Sequence, residues 1–253
     1  MVYGSLRRIG GLGYGGDKMM RLVLFDIDGT LVNTGGAGSD AMTRAFAELY
    51  RIADGFTGIR MSGKTDRLIL QEALDNHRVP LEDGAFDVFH ERYLFHLRHT
   101  LQEPARPRRL MPGLPHLLEA LGTRADVLVG LLTGNVARGA QLKLESFSMW
   151  QYFRLGAYGS DASDRNALVP IAQDRAHALL GYHFSPTQIV VIGDTPRDIR
   201  CAQVHGARAI AVATGSYSVA ELQQHGPDHC FHDLGDMQAV LRVLTAHDQE
   251  AGA

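Results

Sequence analysis

The sequence predicts an α/β protein: a parallel sheet with helices on both faces, and an all-helical segment inserted after the first strand. Three observations predict it. Short apolar runs ending in glycine or polar residues recur along the chain. Stretches with apolar residues three and four apart lie between the later runs. One interval, from about 36 to 100, has helical patterns and no convincing strand. Strands alternating with helices form parallel sheets buried on both faces. Ligands of such sheets bind beyond the carboxyl ends of the strands, so chemistry is expected there.

The first run, Arg21-Leu22-Val23-Leu24-Phe25-Asp26-Ile27, reads as a buried strand. The others are Val127 to Leu132, the stretch around Leu155 to Tyr158, Ile189 to Ile192, and Ala209 to Ala213. Leu168, Ile171 and Ala172 through Ala178 and Leu179 have helical spacing. In the insert, Met42, Ala45, Phe46, Leu49 and Tyr50 share one face. Ile69, Leu70, Ala73 and Leu74 form a second stripe, and Phe86, Phe89, Tyr93 and Leu97 a third. These stripes read as the core of a small bundle. Asn33-Thr34-Gly35-Gly36 and Glu103-Pro104-Ala105-Arg106-Pro107 read as linkers on either side. The expected division is a core of 21–34 and 108–248 and a helical cap of 35–107, an arrangement suited to a mobile lid. Residues 1–20, with six glycines and no apolar run, read as a loose tail.

Composition narrows the function classes. The 253 residues are 45% hydrophobic and 21% charged, as expected of a globular protein with a sizeable core. A formal charge of −3 argues against general affinity for nucleic acid. No apolar stretch approaches the roughly 20 residues of a membrane span. Two cysteines, Cys201 and Cys230, are too few for a disulfide framework, so a cytoplasmic setting is the expectation. Oligomeric state is not legible.

Four short motifs fall at or beyond expected strand ends. Asp26-Ile27-Asp28-Gly29-Thr30 closes the first strand, and Gly29 supplies backbone freedom for a turn that can bring both carboxylates to one cavity. Thr133-Gly134-Asn135 closes the second, where a helix start offers free N–H groups to an anion or simply an N-cap. Arg165 stands just ahead of a helix, and a guanidinium binds phosphate through paired donors. Gly193-Asp194 through Asp198 ends another strand. There Asp194 suits a hard cation, with Asp198 behind it. A zinc module at His229, Cys230 and His232 is the weaker alternative, because no second ligand pair stands nearby. His96 and His99 read as solvated surface.

In this order and spacing, the motifs resemble those of haloacid dehalogenase-type hydrolases, and the insert after the first motif resembles the subclass with a helical cap, which includes phosphoglycolate phosphatase-like proteins. The resemblance spans about 21–245. Its one departure is Arg165-Asn166 where a lysine is usual. It implies a Rossmann-like core and a phosphatase acting on a small phosphorylated metabolite. By the same resemblance Asp26 is the nucleophile and forms an aspartyl-phosphate, while Asp28 is the acid and base. Mg²⁺ is held by Asp26, Asp194 and the Asp28 backbone carbonyl, and Thr133, the N–H groups near Gly134 and Asn135, and Arg165 gather the phosphate oxygens.

Dehalogenases and phosphonatases of the superfamily lack an acid at the position of Asp28, so its presence favours phosphate esters. A phosphomutase would share nearly all these residues, and a non-catalytic binding protein would not need them intact. In the insert, the loop from Gly58 to Lys64 is expected to face the active site, with Arg60 and Lys64 reaching the remote part of the substrate. Lys64 is also faintly similar to the Schiff-base lysine of phosphonatases, although a surface lysine at a helix start is the simpler reading.

Overall fold

A computed structural model describes residues 20–245. The expected tail therefore lies, Met20 apart, outside the described residues, as do 246–248. The sheet has six parallel strands: β1 (Arg21–Phe25), β4 (Val127–Thr133), β5 (Gly156–Tyr158), β6 (Ile189–Gly193), β7 (Arg208–Val212) and β8 (His229–Phe231). Their order is β5-β4-β1-β6-β7-β8, with β1 paired to β4 on one side and β6 on the other. The chain thus builds outward from β1 in one direction and then returns to build in the other. Such a reversal leaves a crevice at the carboxyl ends of the strands.

Alternation along the strands sends side chains to opposite faces. Val23, Phe25, Val129, Leu131, Val190 and Ile192 join one buried cluster. It is covered by α4 (His116–Gly122), α5 (Ala137–Glu145) and α9 (Met237–Thr245) through Leu117, Leu121, Ala140, Leu144, Val240 and Leu244. Leu22, Leu24, Leu128, Leu132, Ile189 and Val191 join the other. There α6 (Leu168–Leu180), α7 (Pro196–Gln203) and α8 (Val219–Gln223) supply Leu168, Ala172, Ile199, Ala202 and Leu222. Each fully buried aliphatic side chain contributes roughly 1.5–3 kcal/mol.

The insert consists of α1 (Ala37–Tyr50), α2 (Asp66–Asn76) and α3 (Ala85–Thr100). Its stripes meet in a third cluster around Phe46, Leu70, Leu74, Phe89, Tyr93 and Leu97. The flanking segments differ from free linkers. Short strands β2 (Val32–Asn33) and β3 (Arg109–Leu110) pair antiparallel. Arg106 also donates to the carbonyls of Gly35 (2.9 Å) and Thr100 (3.1 Å). Two connections that each read as loose are tied to one another, because entry and exit lie side by side and satisfy each other's backbone groups.

Candidate active site

Residue registers bring the expected motifs together. Phe25 lies opposite Leu131 on β4 and Ile192 on β6, so Asp26, Thr133 and Asp194 emerge from three adjacent strand ends. Adjacent strands are only about 4.8 Å apart, which brings side chains at neighbouring ends within reach of one ligand. The Asp26 N–H donates to the Ile192 carbonyl at 2.9 Å. Beyond it the chain turns around the Ile27 carbonyl, which accepts from Leu31 and Val32, while Gly29 takes φ +87° and donates to the Val32 carbonyl. That left-handed turn favours glycine. It returns Asp28 to the cavity, where its side chain is 44% exposed.

The cavity has a volume of about 530 Å³ and includes Asp26, Asp28, Thr133, Gly134, Asn135, Arg165 and Asp194 in its walls. Three buried carboxylates, Asp26, Asp194 and Asp198, offer oxygens within 4.8 Å of one another. Asp198 is committed elsewhere. It accepts from the N–H (3.0 Å) and hydroxyl (2.6 Å) of Thr195, closing the first turn of α7, and from Arg165. Arg165 also lies 3.1 Å from Asp26 Oδ1 and 3.3 Å from the Leu132 carbonyl. It is set there by Asp164, whose carboxylate accepts from the Asn166 N–H at 2.9 Å. Thr30 donates to Asp194 at 3.2 Å. A Cβ on Gly215 would stand 1.7 Å from Asp194 Oδ2, so that carboxylate lies in a cradle only glycine leaves open.

One guanidinium does not balance three buried carboxylates. Burial pushes Asp26 up to about 6; Arg165 opposes the shift, and Asp198 and Asp28 add to it. Burial, then Asp198 and Asp26, raises Asp194 well above the usual carboxylate range. This donor set, all oxygen and short of positive charge, fits a hard divalent cation. Among the described residues no comparable group forms around His229, Cys230 and His232. His96 bonds Glu48 at 2.9 Å.

The second motif lines the cavity and is tied to the turn after β1 and to the insert. Asn135 spends its amide within the protein: Nδ2 donates to Asp28 Oδ2 and Thr133 Oγ1, both at 2.8 Å, and Oδ1 accepts from Lys143 at 2.6 Å. Thr133 Oγ1 accepts twice from Asn135, so its own proton is left to donate. Gly134 lies under the insert: its carbonyl accepts from the Asp66 N–H at 2.8 Å, and a Cβ there would stand 2.0 Å from the Lys64 carbonyl.

Arg60 is absent from the cavity wall, contrary to expectation; it stacks over Tyr217 and donates to its hydroxyl at 3.1 Å, because the loop's outer edge meets the core there. Lys64 does line the cavity, but its ammonium pairs with Glu72 on α2. An amine held as a salt-bridged ammonium is unsuited to a Schiff base.

Lys143 and Asp66 in the wall escaped the sequence reading, and Tyr93, expected only as part of the insert's core, lines the cavity as well. Lys143 stands in the buried stripe Gly139-Ala140-Lys143-Leu144 of α5, and a cation on an apolar stripe is the signal that could have found it. Asp66 looks like an ordinary first-turn acid of α2, yet it accepts from the Val136 N–H of the core at 2.8 Å. Burial pushes Asp66 up to about 7, with Lys143 and the Val136 bond opposing. A raised carboxylate favours the folded state fully below its unfolded value of 3.8, and this contribution is lost as pH rises through about 7. Asp66→Asn, which can still accept from Val136, should therefore be more stable than the parent at pH 8 by about 2 kcal/mol and no more stable at pH 4. Thermal unfolding at the two pH values checks this.

A model of the family described as haloacid dehalogenase-like hydrolase matches residues 23–212. A protein of Dickeya dadantii named "Probable phosphatase IndB" is 29% identical over 233 residues, covering 90% of this chain and 98% of that one. A phosphoglycolate phosphatase of Agrobacterium fabrum is 25% identical over 223 residues, covering 87% and 91%. The solved structure of a predicted phosphoglycolate phosphatase from Haemophilus somnus has a TM-score of 0.64 at 21% identity, covering 89% of this chain and 100% of that one, a likeness of fold. Matched across most of its described length by the family model, and bearing carboxylates, a hydroxyl and a guanidinium around one strand-end cavity, the chain belongs to the haloacid dehalogenase-like hydrolases.

Proposed function

We propose that this hydrolase is a phosphatase that cleaves a small phosphate monoester through an aspartyl-phosphate on Asp26. The observation that carries the reading is the meeting of Asp26, Asp28, Thr133, Arg165 and Asp194 in the wall of one cavity. Asp26 attacks phosphorus, splitting one displacement into two. Asp28, on the same wall and half open to the cavity, gives its proton to the leaving alcohol and then takes one from the attacking water. Thr133, with its proton free, and Arg165, 3.1 Å from the nucleophile, hold the phosphoryl oxygens. Asn135 acts on this reading through Asp28 and Thr133. Mg²⁺, held by Asp26, Asp194 and the Asp28 backbone carbonyl, would neutralise the repulsion between carboxylate and phosphate.

Helices α1 to α3 and their connections act as a cap in this proposal. Met42, Met61, Gly63, Lys64 and Ile69 of the insert line the same cavity as Asp26. They leave room for a small leaving group and shield it from water. The names of the bacterial relatives make phosphoglycolate the first ester to try. Among the described residues no helix is long and apolar enough to cross a membrane.

The test is phosphate release from a panel of phosphorylated small metabolites by the purified chain. Activity should vanish with chelator, return with Mg²⁺ and return poorly with Ca²⁺, whose longer bonds and higher ligand number spoil in-line geometry. Full turnover in metal-free protein, or none on any ester with Mg²⁺, would refute the proposal.

A further inference from the structure

We infer that Lys143 is a positioning residue for the leaving-group chemistry, acting through Asp28; the inference rests on the function proposed above. Its side chain is only 5% exposed, and the ammonium lies 2.6 Å from Asp28 Oδ2 and 2.6 Å from Asn135 Oδ1. Asn135 Nδ2 donates to the same Asp28 oxygen at 2.8 Å. One carboxylate oxygen thus takes two donors that are themselves joined, while Asp28 Oδ1 accepts no hydrogen bond from the described residues.

The clamp is built wholly from the core. Lys143 comes from α5, Asn135 from the loop that starts it, and Asp28 from the turn after β1. A carboxylate on a short turn otherwise rotates freely about its side-chain bonds. Two charge-assisted or amide donors on one oxygen remove that freedom and leave the other oxygen to meet the ester. The insert completes the enclosure: a Cβ on Gly38 of α1 would stand 3.0 Å from the ammonium and 3.2 Å from Cε, so a glycine there leaves the lysine its space. Lys143 thereby differs from Arg165, which addresses Asp26 and Asp198.

A residue that works through Asp28 affects the departure of the alcohol more than capture of the phosphoryl group. The experiment compares Lys143→Met, Lys143→Arg, Asp28→Asn and the double variant Lys143→Met/Asp28→Asn as full-length protein with Mg²⁺. Each is assayed on an alkyl phosphate, whose alcohol needs a proton to leave, and on p-nitrophenyl phosphate, whose phenolate does not. Inhibition by inorganic phosphate and thermal unfolding are measured alongside.

Lys143→Met should lower kcat/KM on the alkyl ester by about 10²-fold, at the low end of the value of a placed general acid, and on the aryl ester by less than about tenfold. Lys143→Arg should recover part of the loss. Phosphate inhibition should stay within about threefold, and adding Lys143→Met to Asp28→Asn should cost under about threefold more, as for residues acting as one unit. Should Lys143→Met fail to fold, Lys143→Gln, a neutral polar side chain one bond shorter that loses the ammonium, takes its place. Equal losses on both esters with weakened phosphate inhibition would overturn the inference in favour of direct phosphoryl contact. A full further loss in the Asp28→Asn background would overturn it too. If the unmodified chain hydrolyses neither ester, the proposed function falls and takes this inference with it. Turnover by the unmodified chain that Lys143→Met leaves intact overturns the inference alone.

Discussion

Asp26→Asn should abolish turnover, with kcat falling at least about 10³-fold while the protein stays folded. The substitution keeps the shape of a side chain that is buried at the end of β1 and removes the charge that attacks phosphorus. Folding should even gain slightly, because burial already pushes the parent carboxyl up to about 6 and an amide has no such cost near neutral pH. The paired measurement is therefore steady-state phosphate release and thermal unfolding of the same sample. A variant that hydrolyses its best ester near the parent rate would remove Asp26 from the nucleophile's place. One that loses activity by unfolding would leave the chemical role without support.

Arg165→Ala should instead be a stability lesion. The guanidinium is 7% exposed in its side chain and is the cation that meets both Asp26 and Asp198. It also donates at 3.3 Å to the Gly63 carbonyl, on the loop leading to α2. Its removal leaves buried carboxylates facing each other without a counter-charge, the situation that costs about 3–5 kcal/mol when one partner of a buried pair is deleted. In a chain of this size that corresponds to a fall in Tm of roughly 6–20 °C. The loss should shrink as pH falls through 6 and the carboxylates take up protons, and it should shrink again with Mg²⁺, which supplies charge in the same place. Arg165→Lys, keeping the charge but not the paired donors, should fall between. Unfolding curves at pH 5 and 8, with and without Mg²⁺, decide it. A variant as stable as the parent at pH 8 would show that the three carboxylates do not need this cation.

Five of the six strands and all three helices of the insert follow from periodicity, because a buried strand and an amphipathic helix each write their own local pattern. The strand-end rule then located Asp26, Thr133 and Asp194 before any contact was known, since parallel sheets expose the carboxyl ends of neighbouring strands together. The strand β8, three residues long and partly exposed at the sheet edge, has too weak a pattern to be read this way. The β2–β3 ribbon is shorter still, and its two halves lie far apart in the chain.

What the sequence determined, then, was the order of elements and the residue types at their ends. The tertiary structure decided which side chain meets which. Lys143 and Lys64 are both lysines on or beside helices, yet one clamps Asp28 and the other pairs with Glu72. Arg60 lies four residues before Lys64 and faces Tyr217 on the core instead of the cavity. Asp66 carries the mark of a helix start and reaches across to the N–H of Val136, the residue that precedes another helix, α5. Periodicity records which face of an element is buried, but the partner of a polar group depends on where distant segments pack. A flexible side chain then takes whichever counter-charge that packing brings within about 3 Å.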